Sequence, residues 1–235
     1  MFKDLDRRRV LTALGTAALL PVAGIGRAAE QEEEETEALE DLMREHGVLR
    51  RALLVYAEAA TRLTRGQGGE VPTVALRDTA TLFRSFGEDY HERSLEEKHV
   101  FPALIKTGGS NATLANILKQ QHDRGREITD YVSALASRGR LAGAGAKSLS
   151  EVLSSFVRMY EHHAAIEDTV IFPAWKAAIP KAQYEELSEQ FEELEHRMFG
   201  MDGFDDAVER IARIEQAFGL ADLSKLTAPP PPKPA

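Results

Sequence analysis

The sequence predicts an all-α fold, an up-down-up-down four-helix bundle with short C-terminal helices. Three observations carry this. Four long segments repeat apolar residues at three- and four-residue spacing, glycine-rich breakers of a few residues separate them, and no stretch alternates apolar and polar residues as a strand would. Connections this short place successive helices side by side and antiparallel.

The first 29 residues read as an address rather than as fold. Arg7, Arg8 and Arg9 precede an apolar run from Val10 to Ile25, and the small residues around Gly26, Ala28 and Ala29 suit a signal peptidase. The run is too short and glycine-rich for a comfortable membrane span. Asp6-Arg7-Arg8-Arg9-Val10-Leu11 resembles a twin-arginine signal, with Asp6 where such signals usually carry Ser or Thr; the alternative reading is an ordinary secretory signal or an uncleaved anchor. The expected destination is therefore periplasmic or extracellular, with no stable membrane insertion once the signal is removed. Twin-arginine export carries folded proteins, so a metal could be loaded in the cytoplasm beforehand.

After the acidic run from Gln31 to Glu35, helices are expected over about 34–65, 73–106, 112–137 and 147–178, forming one bundle domain over 34–178. The breakers are Gly66-Gln67-Gly68-Gly69 with Pro72, then Gly108-Gly109-Ser110-Asn111, then Gly139 through Gly145. Pro180 ends the fourth helix. Two shorter helices near 181–199 and 204–218 are expected to pack outside the bundle, and the proline-rich tail at 228–235 cannot be helical.

Composition narrows the function. The 235 residues are 43% hydrophobic and 29% charged, enough for a core with a wetted surface. Net charge is −9, and no basic run remains beyond the first dozen residues, which argues against a nucleic-acid partner. The absence of cysteine excludes disulfides, zinc thiolates, iron–sulfur clusters and Cys nucleophiles. Any metal chemistry falls to His, Asp and Glu.

Histidines stand where leucines belong. The apolar seam of the first helix reads Leu39, Leu42, His46, Leu49, Leu53, Tyr56, and that of the fourth reads Leu149, Val152, Phe156, Met159, His163, Ile166, Val170. On the third helix Leu118, His122, Gly125 and Val132 share a face. An imidazole in a bundle core costs on the order of 1–3 kcal/mol for each hydrogen bond it fails to make. One such residue is readily a core histidine bonded to a carbonyl. With His91 added, each of the four helices offers one, and Glu167 lies one turn beyond His163 on the same face. A cation supplies the charge that buried imidazoles and carboxylates otherwise lack. An internal repeat reinforces the pattern: Glu96-Glu97-Lys98-His99-Val100-Phe101-Pro102-Ala103 recurs as Glu167-Asp168-Thr169-Val170-Ile171-Phe172-Pro173-Ala174.

Four segments are similar to the motifs of the hemerythrin, or HHE cation-binding, family. They are Asp41 through His46, Asp89-Tyr90-His91 continuing through Glu96-Glu97 to Phe101-Pro102, Gln121-His122-Asp123, and His163 through Glu167-Asp168 to Phe172-Pro173. The resemblance spans about residues 38–178 and implies a carboxylate-bridged, non-haem di-iron centre. Carried over position by position, it implies the ligands His46, His91, Glu96, His122, His163 and Glu167. His and carboxylate ligands equally suit manganese or zinc. The implied partner is a small diatomic or peroxide ligand.

The chain departs from the family in two ways. Glu96 follows His91 by five residues rather than four, as though Ser94 were extra; a straight helix would set them about 140° apart. A π-bulge near Ser94 would return them to one face. Oxygen-carrying hemerythrins also have a further histidine one turn after the one matching His122, where this chain has Arg126. A guanidinium has no lone pair to donate, so Arg126 is expected to hold an anion or a carboxylate such as a ligand Glu. Asp168, five residues after His163, is an alternative to Glu167. His162, His99 and His196 are expected at the surface. Phe101, Phe172 and Trp175 are expected to close the core, and Pro102 and Pro173 to kink their helices. Three functions remain open on sequence: an oxygen-binding protein, an exported di-iron oxidase or peroxidase, and a metal-free helical interaction module.

Overall fold

The computed structural model describes residues 37–200 and 202–232. The twin-arginine-like segment lies outside the described residues. Within them the fold is all-α, and no helix is long and apolar enough to cross a membrane.

Helix α1 is Ala38–Thr64. Helix α2 runs continuously over 73–107, as an α segment Thr73–Leu82, a π-helical segment Phe83–Val100 and a closing α segment Phe101–Thr107. Helix α3 is Gly109–Ala136. Helix α4 covers 143–178 and has the same build: Gly143–Ile166, a π-helical turn Glu167–Ile171, then Phe172–Ala178. Helices α5, Lys181–Phe199, and α6, Gly203–Phe218, follow. The four long helices form the up-down-up-down bundle, with α1 against α4 and α2, and α3 against α2 and α4.

Two helices start earlier than the breakers suggest, α3 at Gly109 and α4 at Gly143. The reversal before α3 needs only Gly108 and Gly109, whose φ values of 77° and 73° favour glycine. Ser110 and Asn111 already belong to the first turn.

Helix α1 is buried on two faces. Leu42, His46, Leu49, Leu53 and Tyr56 line the bundle interior, while Ala38, Asp41, Glu45, Val48, Ala52 and Val55 form a second buried row. Helices α5 and α6 cover that row. The stripe Ala207, Ile211, Ile214, Phe218 of α6 supplies the apolar contact, and Arg51 of α1 clamps Glu215 through two hydrogen bonds of 2.8 and 2.6 Å.

The interior of α4 is rotated from the expected seam. Leu149, Leu153, Phe156, Tyr160 and His163 are buried, whereas Val152, Met159, Ile166 and Val170 are half-buried. Apolar residues occupy both lines, so spacing alone could not separate them. The rotation brings Tyr160 inward, where it joins Tyr56, Phe83 and Phe156 in a fully buried aromatic layer. Burying each such ring contributes about 1.5–3 kcal/mol.

The two π-helical stretches share a cause in the repeated Phe-Pro. Pro102 and Pro173 have no N–H to give, and their rings crowd the carbonyl four residues back. The preceding amides bond five residues back instead: Phe101 N–H to the Glu96 carbonyl and Phe172 N–H to the Glu167 carbonyl. Ser94 Oγ likewise reaches back five residues to the Asp89 carbonyl, at 2.8 Å. The prolines thus mark changes of helical winding. The π geometry extends well beyond Ser94, and the second stretch, at Glu167, is one the spacing of His163 and Glu167 gave no reason to expect.

Candidate metal centre

His46 on α1, His91 on α2, His122 on α3 and His163 on α4 reach one level of the interior and are buried there together with Glu96 and Glu167. Their Nε2 atoms meet in two pairs. His46 and His91 stand 3.0 Å apart, His122 and His163 3.1 Å. Two nitrogens each about 2.1 Å from one ion and at right angles around it would be separated by about 3.0 Å.

Glu96 lies between the pairs, with Oε1 3.5 Å from His91 Nε2 and Oε2 3.2 Å from His122 Nε2. The five-residue offset from His91 therefore does place both side chains on one face, through the π winding. Glu167 also spans the pairs, its Oε2 3.0 Å from His163 Nε2 and 3.5 Å from His46 Nε2. No oxygen of either carboxylate accepts a hydrogen bond of good geometry. Four orphaned buried carboxylate oxygens beside four converging imidazole nitrogens would be a severe desolvation cost without a cation. Two groups sharing Glu96 could hold one: His46 with His91 and Glu96, and His122 with His163, Glu96 and Glu167. These residues fit a pair of metal ions.

The outward nitrogens form a second pattern, running once around the bundle. His91 Nδ1 donates to Glu45 on α1 at 2.6 Å, and His122 Nδ1 to Glu97 on α2 at 3.0 Å. His163 Nδ1 donates to Gln121 on α3 at 2.9 Å, and His46 Nδ1 to Asp168 on α4 at 2.7 Å. Each helix fixes the next helix's imidazole. An acceptor at Nδ1 holds the proton there and leaves the Nε2 lone pair facing inward, as metal ligation requires. Sequence reasoning missed Glu45, Glu97 and Gln121. A signal existed, because each adjoins a proposed ligand: Glu45 precedes His46, Gln121 precedes His122, and Glu97 follows Glu96.

Asp168 is not a stand-in for Glu167. One oxygen holds His46 and the other pairs with Arg50. Arg126 does hold carboxylates, but not Glu96 or Glu167. It pairs with Glu97, with Glu92 at 3.1 Å and with Asp123 at 2.9 Å. Fully buried Glu92 also accepts the Tyr160 hydroxyl, and the Tyr160 ring lies 4.9 Å from that of His163.

Phe101 and Phe172 close the core as expected, and each also lies nearly parallel to a site imidazole. Phe101 is 5.3 Å from the His122 ring and Phe172 is 5.4 Å from the His46 ring. Trp175 closes the core as well, fully buried against Tyr184 and Phe191. His162 and His196 are exposed, but His99 is half-buried beside Phe191 of α5.

The electrostatics of the metal-free site follow from these contacts. Burial works to lower the His122 pKa, yet Glu92, Glu96 and Glu97 push it up to about 10. Burial opposes charge on His91 too, and Glu96 and Glu45 hold it well above the ordinary value. His46 is raised, with Asp168 and Glu167 overcoming burial. Against the cost of burial, His122 and Arg126 depress Glu97 to about 2. Without a cation, protons supply the positive charge that the carboxylates demand.

Residues 37–135 and 113–227 match the Hemerythrin HHE cation binding domain, the two matches overlapping in α3. The chain belongs to the hemerythrin HHE family of cation-binding domains, and its buried His/Glu groups could hold a metal ion. It is also 40% identical over 210 residues to an uncharacterized protein of Mycobacterium bovis and to uncharacterized proteins of two Mycobacterium tuberculosis strains, covering 88% of this chain and 81% of each relative. No solved structure matches it.

Proposed function

We propose that the protein holds two iron ions, with His46 and His91 on one and His122 and His163 on the other, bridged by Glu96 and Glu167, and that it reacts with dioxygen or peroxide. The observation that carries this is the shared pair of carboxylates: each lies within 3.5 Å of a histidine nitrogen from both pairs, and all four oxygens lack hydrogen-bond donors. An iron pair supplies redox chemistry toward small oxidants. The chain's own residues orient the imidazoles, exclude water and keep each Nδ1 proton outside the centre. The burial of every site residue favours a reactant of only a few atoms over an organic substrate.

Arg126 decides the kind of reactivity in this reading. Its guanidinium is committed to Glu92, Glu97 and Asp123 and offers no lone pair. The centre therefore has one protein ligand fewer than an oxygen carrier of the family and one more position open to oxidant. The reduced protein should end oxidised rather than return to its reduced state when oxygen is removed. The Arg7-Arg8-Arg9 segment and the apolar run behind it support an exported protein.

Anaerobic reduction of the iron-loaded protein followed by stopped-flow mixing with oxygen or peroxide tests this. Irreversible oxidation is expected, with Arg126→His shifting the protein toward reversible binding. Full spectral reversal on deoxygenation of the unmodified protein would establish a carrier instead.

A further inference from the structure

Three of the four Nδ1 acceptors are carboxylates and one is not. The exception is visible in the residue before a site histidine on α1 and on α3: Glu45 precedes His46, whereas Gln121 precedes His122. Glu45 accepts from His91 at 2.6 Å, and Gln121 accepts from His163 at 2.9 Å. The inner carboxylates separate the pairs little and in favour of the second. Glu96 and Glu167 each reach a histidine of both pairs, while only His122 and His163 group closely with both carboxylates. They approach His122 and His163 only a few tenths of an ångström more closely than His91 and His46.

The outer groups do separate them. Both imidazoles of the first pair donate to a carboxylate, His91 to Glu45 and His46 to Asp168. In the second pair only His122 does. Its partner Glu97 is bound to a largely buried guanidinium, that of Arg126, whereas the Arg50 that pairs with Asp168 is 43% exposed and screened by water. Glu92 lies 3.9 Å from His122 Nδ1, and its hydrogen bonds go to Tyr160 and Arg126 instead. A carboxylate on the far nitrogen makes an imidazole a stronger ligand, and such outer partners alter metal affinity by about 10–100-fold.

We propose that Gln121 makes the two metal positions unequal: the ion on His122 and His163 binds more weakly and is the exchangeable one. This rests on the two-ion reading above. It gives the protein a stable one-ion state, with His46 and His91 occupied and the second position open to loss and refilling.

Titration of the full metal-free protein with zinc ion against a competing chelator tests the inference, using two charge swaps of unchanged shape. The unmodified protein should bind in two steps whose dissociation constants differ by at least about tenfold. Gln121→Glu should tighten the weaker step and narrow the gap, and Glu45→Gln should weaken the tighter step and narrow it too. Positions that begin equal would behave oppositely, because either swap would then widen the gap; widening, or no change, overturns the proposal. Mutual repulsion of two ions can split the steps by itself, so the direction of change is the deciding reading. Should one variant not fold, as melting of its metal-free form would reveal, the other decides alone. Saturation at fewer than two ions would overturn the two-ion reading itself, an outcome distinct from an unchanged gap.

Discussion

Glu96 and Glu97 flank a single imidazole: Glu96 Oε2 lies 3.2 Å from His122 Nε2, and Glu97 Oε1 lies 3.0 Å from His122 Nδ1. Consecutive side chains on a helix point in different directions, and the ring from α3 enters the angle between them. Glu167 and Asp168 flank His46 in the same way, at 3.5 and 2.7 Å. An acidic dipeptide on one helix thus supplies both the carboxylate that faces the buried centre and the one that aims the neighbouring imidazole.

Metal content follows from this arrangement. Elemental analysis of iron-saturated protein should find two ions per chain. His163→Ala removes an inward nitrogen and should lower that strongly, while exposed His196→Ala should leave it unchanged. Equal content in the two variants would sink the assignment.

The pH dependence of the metal-free protein has a definite sign. His122 is raised to about 10 from an ordinary value near 6.5, so its contribution is fully present below pH of about 6.5 and disappears as pH rises through about 10. Glu97 is lowered to about 2. Its contribution is present above about pH 4.3 and disappears as pH falls through about 2. Melting temperature should therefore peak between about pH 4.5 and 6.5. Cations displace the histidine protons, so binding should release protons, and bound metal should be lost as the solution is acidified. A metal-free melting temperature that climbs between pH 7 and 10 would contradict the electrostatics described.

Arg126 and Arg50 occupy corresponding positions, each one turn after a site histidine, yet they should differ in weight. Truncating Arg126 strands fully buried Glu92, which should cost about 3 kcal/mol in chemical unfolding. Arg50 is 43% exposed, and Arg50→Ala should cost less than about 1 kcal/mol. Equal losses would show that burial does not govern these pairs.

Two interior glycines should respond to alanine with opposite signs. A Cβ on Gly87 would come within 2.9 Å of Leu49 Cδ2 between α1 and α2, so Gly87→Ala should destabilise by about 1–3 kcal/mol. A Cβ on Gly125 would meet Phe156 at 3.5 Å, an ordinary contact. Gly125→Ala should then gain up to about 1 kcal/mol through helix propensity. Thermal unfolding of both variants reads the difference.

Helix count, breakers and the buried histidines were legible in the sequence because each is a local pattern. Spacing of 3.6 residues writes the apolar face of a helix into the chain, and a histidine in a leucine position stands out against it. The irregular spacing of His91 and Glu96 pointed to a π turn, since no regular helix puts them on one face. What tertiary structure alone decided is how the faces meet. Two apolar lines on α4 compete for the interior, and only packing chose the one that carries Tyr160. Glu45, Glu97, Gln121 and Asp168 each act on a histidine of another helix, with separations in sequence of 25 to 122 residues. Sequence periodicity describes one helix at a time. The ring of acceptors exists only once four helices fix the distances between them.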